Sequence, residues 1–200
     1  TTRAQDHIGD CILSKAVMDP PIDLYQRGKI TATEDYEPFK KTLIVRGITL
    51  AAVEETPDSF LESVADVIEE MLGPSSEIDA HLQEEVIGNL YRYRATIPIF
   101  FMNAGFTSDE DWDKYQSLKQ NASICDIITG VIPGGQIGEV VEHVLHIITD
   151  VGLLHTFWRE WGIDENSVLY SINQDLIARD IYNRGEEPIR VTLQELGFNI

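Results

Sequence analysis

The stretch "GEVVEHVLHIITDVG", residues 138–152, sets His143 and His146 three residues apart beside Glu139, Glu142 and Asp150. At about 100° per residue, these five side chains fall within an arc of roughly 100° on a helix. Val140, Val141, Val144, Leu145, Ile147, Ile148 and Val151 fill the opposite side. Glu139 and His143 are one turn apart, as are Glu142 and His146, and His146 and Asp150. Three ligands from His, Glu and Asp, with water in the fourth place, make a hydrolytic zinc site. On this reading His143, His146 and Asp150 hold zinc or another divalent cation, and Glu142 or Glu139 takes a proton from water. Glu139, His155 and the distant His81 are alternative third ligands. The plain alternative is the solvated polar face of a helix in an acidic protein. The spacing also departs from known signatures. H-E-x-x-H needs its histidines four apart with glutamate between them, and here Glu142 precedes the first. The inverted H-x-x-E-H and the di-iron E-x-x-H pairs do not match either.

Other stretches carry less chemistry. "DEDWD" places Asp109, Asp111 and Asp113 as an EF-hand loop would, but Lys114 stands where that loop needs Gly and Gln120 where it needs Glu. A helix first turn fits better, with Ser108 as cap and the acids favoured by the helix dipole. "PGGQIGE" lacks the lysine of a phosphate-binding loop. Phe157, Trp158 and Trp161 could wall a cleft, though packing is the commoner use of such a cluster. No serine or cysteine shows a readable partnership with a histidine.

Helices and strands must position these residues, and their signals run along the chain. Residues 1–40 are irregular and form an N-terminal segment packed on the domain, with one short helix around Ile8–Val17. "KTLIVRGITLAAV", 41–53, is the clearest strand, with Gly47 as a bulge. A helix comes next over 58–72, capped by Asp58 or by Ser59 with Glu62, and stopped by Gly73-Pro74. A second spans 77–95 with Ile78, Leu82, Val86 and Leu90 inward. "TIPIFFM", 96–102, is a short strand that Pro98 should confine to an edge. Loop 129–138 leads into the histidine helix, another helix spans 165–185, and "PIRVTL", 188–193, is a late strand. The expected fold is α+β: a predominantly helical single domain over 41–200, with a small sheet of two or three short strands and a zincin-like layout if the metal reading holds.

Composition limits the partners. Thirty-four acidic residues against fifteen basic give a net charge of −19. Nucleic acid and anionic membrane surfaces repel such a chain, whereas cations and basic partners suit it. No apolar run reaches the roughly 18–20 residues that span a bilayer. Cys11 and Cys125 make an even pair, and Asn121-Ala122-Ser123 is a glycosylation sequon. With a chain that starts at Thr1 rather than Met, as a processed protein or a fragment would, these favour a secreted glycoprotein with a Cys11–Cys125 disulfide.

"RGITLAAVEETPDSFLESVADVIEEML" and "EHVLHIITDVGL" resemble segments of a group of largely uncharacterised secreted proteins from bacteria and marine animals. In that group a short strand leads to a "TPD" turn and a helix, and an EHxLHxxTxxGL-like motif comes later. The motif matches at Glu142, His143, Leu145, His146, Thr149, Gly152 and Leu153, and the resemblance covers about half the chain. It implies that the histidine pair matters and specifies no reaction. The leading expectation is thus a secreted acidic globular protein with a metal site on helix 138–152, which as an enzyme would be a zinc-dependent hydrolase. The others are a non-catalytic acidic matrix protein that assembles with copies of itself, and a module that binds metal for structure alone.

Overall fold

A computed structural model describes residues 11–101, 105–106, 108–130, 137–162 and 165–179. The chain divides after Thr156 into two compact units. The first contains a five-stranded mixed sheet in the order β1 (Thr31–Ala32), β2 (Lys41–Val45), β3 (Ile48–Ala52), β4 (Thr96–Phe101) and β5 (Ile128–Gly130). The first three strands are antiparallel, and β3, β4 and β5 run parallel. The α+β class holds, but the expected two or three strands and helical predominance do not: the protein is built on a mixed sheet. The zincin-like layout falls with that expectation.

The expected single strand over 41–53 is a hairpin. Leu43 pairs with Leu50 and Val45 with Ile48, leaving a two-residue turn at Arg46-Gly47. Both turn residues have positive φ, 48° and 81°, as a hairpin turn matched to strand twist requires. Gly47 is needed twice over, because a Cβ there would lie 2.6 Å from the Ile87 carbonyl oxygen. Arg46 is held in its less favourable conformation by its surroundings. Its guanidinium sits 5.0 Å over the Tyr25 ring and donates to the Tyr25 carbonyl.

Strand β4 lies inside the sheet, not at an edge, despite Pro98. Alternation explains how. The Thr49 N–H donates to the Ala95 carbonyl, and the Thr96 N–H donates the other way, to Ser123 at 2.9 Å. Residue 98 points as residue 96 does, toward β5, yet β5 begins pairing only at Ile99. The missing N–H of proline therefore falls in a gap of the ladder.

Helices α1 (Asp58–Met71) and α2 (Ala80–Arg92) connect β3 to β4, and α3 (Asp109–Lys119) connects β4 to β5. The α1 N-cap is Pro57, whose side chain has no acceptor to offer, so neither Asp58 nor Ser59 caps the helix as expected; Asp58 pairs with Lys41 at 2.8 Å. Asp79 caps α2 by accepting from the His81 and Leu82 N–H groups. Ile78 and Leu82 are exposed, contrary to expectation, and Val86 and Leu90 carry the burial. Ser108 caps α3 as its sequence predicts.

Successive β4 side chains go to opposite faces of the sheet. Phe100 joins Phe39, Tyr36, Tyr115, Leu118 and Ile124 in one core beneath α3. On the other face, Gly130 leaves space that the Phe60 ring of α1 fills; a Cβ there would meet that ring at 2.0 Å. Helix α4 (Ile137–Ile147) packs on α1, β4 and β5.

Residues 11–17 form no α-helix; they are tied to the body instead. Ile124 N–H donates to the Cys11 carbonyl, Leu13 N–H to Ser123 Oγ, and Val17 N–H to the Arg92 carbonyl. The expected Cys11–Cys125 disulfide is present across a sequence separation of 114.

The second unit contains α6 (Trp158–Trp161) and α7 (Val168–Ala178), capped by Ser167. The expected end of this helix at Gly185 and the strand at 188–193 lie outside the described residues.

Candidate functional site

The histidine segment is helical but not one α-helix. Helix α4 ends at Ile147, a π-helical segment spans Ile148–Leu153, and α5 (Leu154–Thr156) completes it. A π turn carries one extra residue and rotates the helix beyond it, so the one-turn spacing of His146 and Asp150 does not survive intact. The side chains show what favours it. Thr149 Oγ1 donates to the carbonyls of Leu145 and His146, at 3.0 and 2.9 Å, competing with the regular ladder. Gly152 sits against α2, where a Cβ would lie 2.9 Å from Val86 Cγ1. Thr156 Oγ1 donates to the Gly152 carbonyl and accepts from Asn89 Nδ2. The widened turn thereby seats the segment on α2.

On α4 the apolar face is largely as expected. Val140, Val144 and Ile147 are buried, as is Val151 beyond them, but Leu145 is exposed. The rings of His143 and His146 lie 6.2 Å apart and 28° from parallel. His146 Nδ1 is 2.9 Å from Asp126 Oδ2. A carboxylate only accepts, so the Nδ1–H donates and a neutral His146 presents the lone pair of Nε2. The half-buried His143 has a buried Nδ1 with no hydrogen-bond partner. Asp150 is half-buried within electrostatic reach of both Asp126 and His146. Burial raises its carboxyl above the usual range, against the Thr149 hydroxyl and His146, and Asp126 adds to the rise. Glu142 is exposed and Glu139 half-buried.

The structure thus brings His143 and His146 together and puts Asp126, twenty residues away in sequence, on the His146 ring. No local signal marks Asp126; it sits just before β5, and only the return of the chain after β5 brings His146 to it. Among the described residues, no three His, Cys, Asp or Glu side chains form a group that could hold a metal ion. His155 is engaged elsewhere, stacked on Tyr93 at 3.4 Å between ring centroids. His81 lies exposed in the first turn of α2.

A second feature runs along α3. A cleft of about 830 Å³ is lined by Glu34, Asp35, Glu37, Glu110 and Asp113 against two cations, Arg94 and Lys114. Lys114 bridges it, 3.3 Å from Glu37 and 2.9 Å from Glu110. Arg94 lies over the Tyr36 ring and donates to the Asp35 carbonyl. Asn121, the sequon residue, is exposed at its rim.

Among the described residues no helix is long and apolar enough to cross a membrane. No protein-family model matches the chain, and neither a curated protein nor a solved structure is significantly similar to it.

Proposed function

We propose that the protein is a secreted, metal-dependent hydrolase whose chemistry is centred on His143 and His146. The observation that carries this reading is an imidazole oriented by a carboxylate, His146 on Asp126, beside a second imidazole whose buried Nδ1 has no partner. Ligating histidines are typically oriented in this way, by a carboxylate on the nitrogen that does not ligate. A buried polar atom left without a partner calls for an explanation, and an ion or a water is a usual one.

Two imidazoles among carboxylates suit zinc or a similar divalent metal. His143 and His146 would hold it as a pair, since the described residues bring no third His, Cys, Asp or Glu ligand to them. Such an ion, when bound, supplies Lewis-acid activation of water. Asp126 keeps the His146 proton on Nδ1, and exposed Glu142 is free to accept a proton from water. The Cys11–Cys125 bridge supports an oxidising compartment.

Elemental analysis of the full chain after incubation with zinc and dialysis tests this. We expect about one zinc per chain in the wild type and none in the His143→Ala/His146→Ala double variant. Asp126→Asn should lose about 10–100-fold in metal affinity. No uptake by the wild type, or equal uptake by the double variant, sinks the proposal.

The acidic cleft along α3 favours a second reading, a non-catalytic extracellular matrix or self-assembling protein. Its carboxylates would take cations or a basic partner, because five acids face two bases in one concavity.

A further inference from the structure

We propose that the pocket at the carboxyl ends of β3 and β4 binds a small organic cation with an apolar body, an alkyl or aryl ammonium. The pocket measures about 460 Å³, within the range of small-molecule sites. Its position is set by the topology. Strands β3 and β4 run parallel and end side by side, so Val53, Glu54 and Glu55 extend from one strand while Phe100 and Phe101 close the other. The crevice outside the carboxyl ends of parallel strands is where open α/β sheets take their ligands. The histidine centre stands elsewhere, at Asp126 before the amino end of β5, so the two proposals are independent.

The walls specify an apolar body. Phe100 and Phe106 meet edge to face with centroids 5.0 Å apart, and Phe106 continues to Trp112 at 6.4 Å. Phe100 is 4% exposed and Trp112 53%. Phe100, Phe101, Phe106, Val53 and Pro38 line the pocket, and Trp112 lies beside Phe106 outside that lining.

The rim specifies the charge. Among the described lining residues, Glu54, Glu55 and Asp111 stand against one cation, Lys40, which Glu37 already engages at 3.5 Å. Glu54 and Glu55 make no hydrogen bond or ion pair among the described residues, so their charge is available to a ligand. Ring faces attract a cation through their quadrupole, and the carboxylates attract it by charge. Anionic ligands of the same shape meet repulsion at the rim and from the net charge of −19.

Benzyltrimethylammonium titrated into the full chain tests this, read by calorimetry and by tryptophan fluorescence. We expect saturable binding, with benzoate and benzyl alcohol at least roughly tenfold weaker. Glu54→Gln/Glu55→Gln changes only exposed side chains and should weaken the cation about tenfold. Phe106→Ala should weaken all three probes, and Trp112→Phe should remove most of the fluorescence response while calorimetry still reports binding. The proposal is overturned by no binding at about 10 mM, by benzoate binding as well as the cation, or by unchanged affinity in the glutamine double variant.

Discussion

His155 lies face to face with Tyr93, with only 2° between the ring planes, and its buried Nε2 has no partner. Burial lowers its pKa from 6.5 to about 4, and a hydrogen bond to the Leu13 backbone opposes that shift. Proton linkage gives the sign of the effect on stability. The unfolded chain takes up a proton near pH 6.5 that the folded protein refuses until about pH 4. The neutral ring's contribution is therefore complete above pH 6.5 and is lost as pH falls toward 4. Urea unfolding at steps from pH 7 to pH 4.5 should show stability falling faster in the wild type than in His155→Phe, which keeps an aromatic ring on Tyr93. Parallel slopes in the two proteins would refute the assignment. At this scale the sequence was only partly legible. His143 and His146 stand out by their spacing, but Asp126 and Tyr93 do not, because nothing near them in sequence signals their partners. Residue types at helical spacing mark one face of one element; the groups that complete a site come from elsewhere.

Elements were legible where their own periodicity decides them. Helix α3 begins at its predicted cap, and α1 occupies its predicted stretch, because the cap and the apolar spacing are local properties. Tertiary context decided the rest. Arg46-Gly47 is a turn because strands on both sides pair, and the "RG" dipeptide is a weaker hairpin signal than Asn-Gly. Strands of two and three residues, β1 and β5, carry no alternation to read. The π segment arises from threonine hydroxyls competing for carbonyls and from packing on α2. The N-terminal strap was legible as an irregular segment with a cysteine, but the backbone bonds that tie it to residues 92 and 124 carry no local signal. The disulfide should dominate the strap's energetics. On the chain-entropy model a loop of this length contributes about 4–5 kcal/mol. Cys11→Ser/Cys125→Ser should therefore unfold at markedly lower urea and be indifferent to reductant, while the wild type moves to the same midpoint when reduced. A variant with the wild-type midpoint would show that the bridge does not constrain the unfolded chain.

Over the whole molecule the balance lies between local pairing and a net charge of −19. The pairs are short and partly shielded. Arg27 reaches Glu62, Asp66 and Glu69 along one face of α1, the latter two at 2.6 and 2.9 Å, and Lys41 holds Asp58. These contacts lie well inside a Debye length, which at about 0.2 M salt is roughly 7 Å. Repulsion among the excess carboxylates acts over longer distances and is what added salt removes first. Raising sodium chloride from about 10 to about 200 mM should therefore raise the melting temperature, by about 2–5 °C, because screening relieves the folded state of self-repulsion more than it weakens its ion pairs. Magnesium chloride at equal ionic strength should give the same rise if screening is the cause. A larger rise with magnesium, abolished by substituting the cleft carboxylates Glu34 and Asp113, would instead identify cation binding along α3. A fall in sodium chloride would mean that the ion pairs, Arg27 foremost, outweigh the net charge.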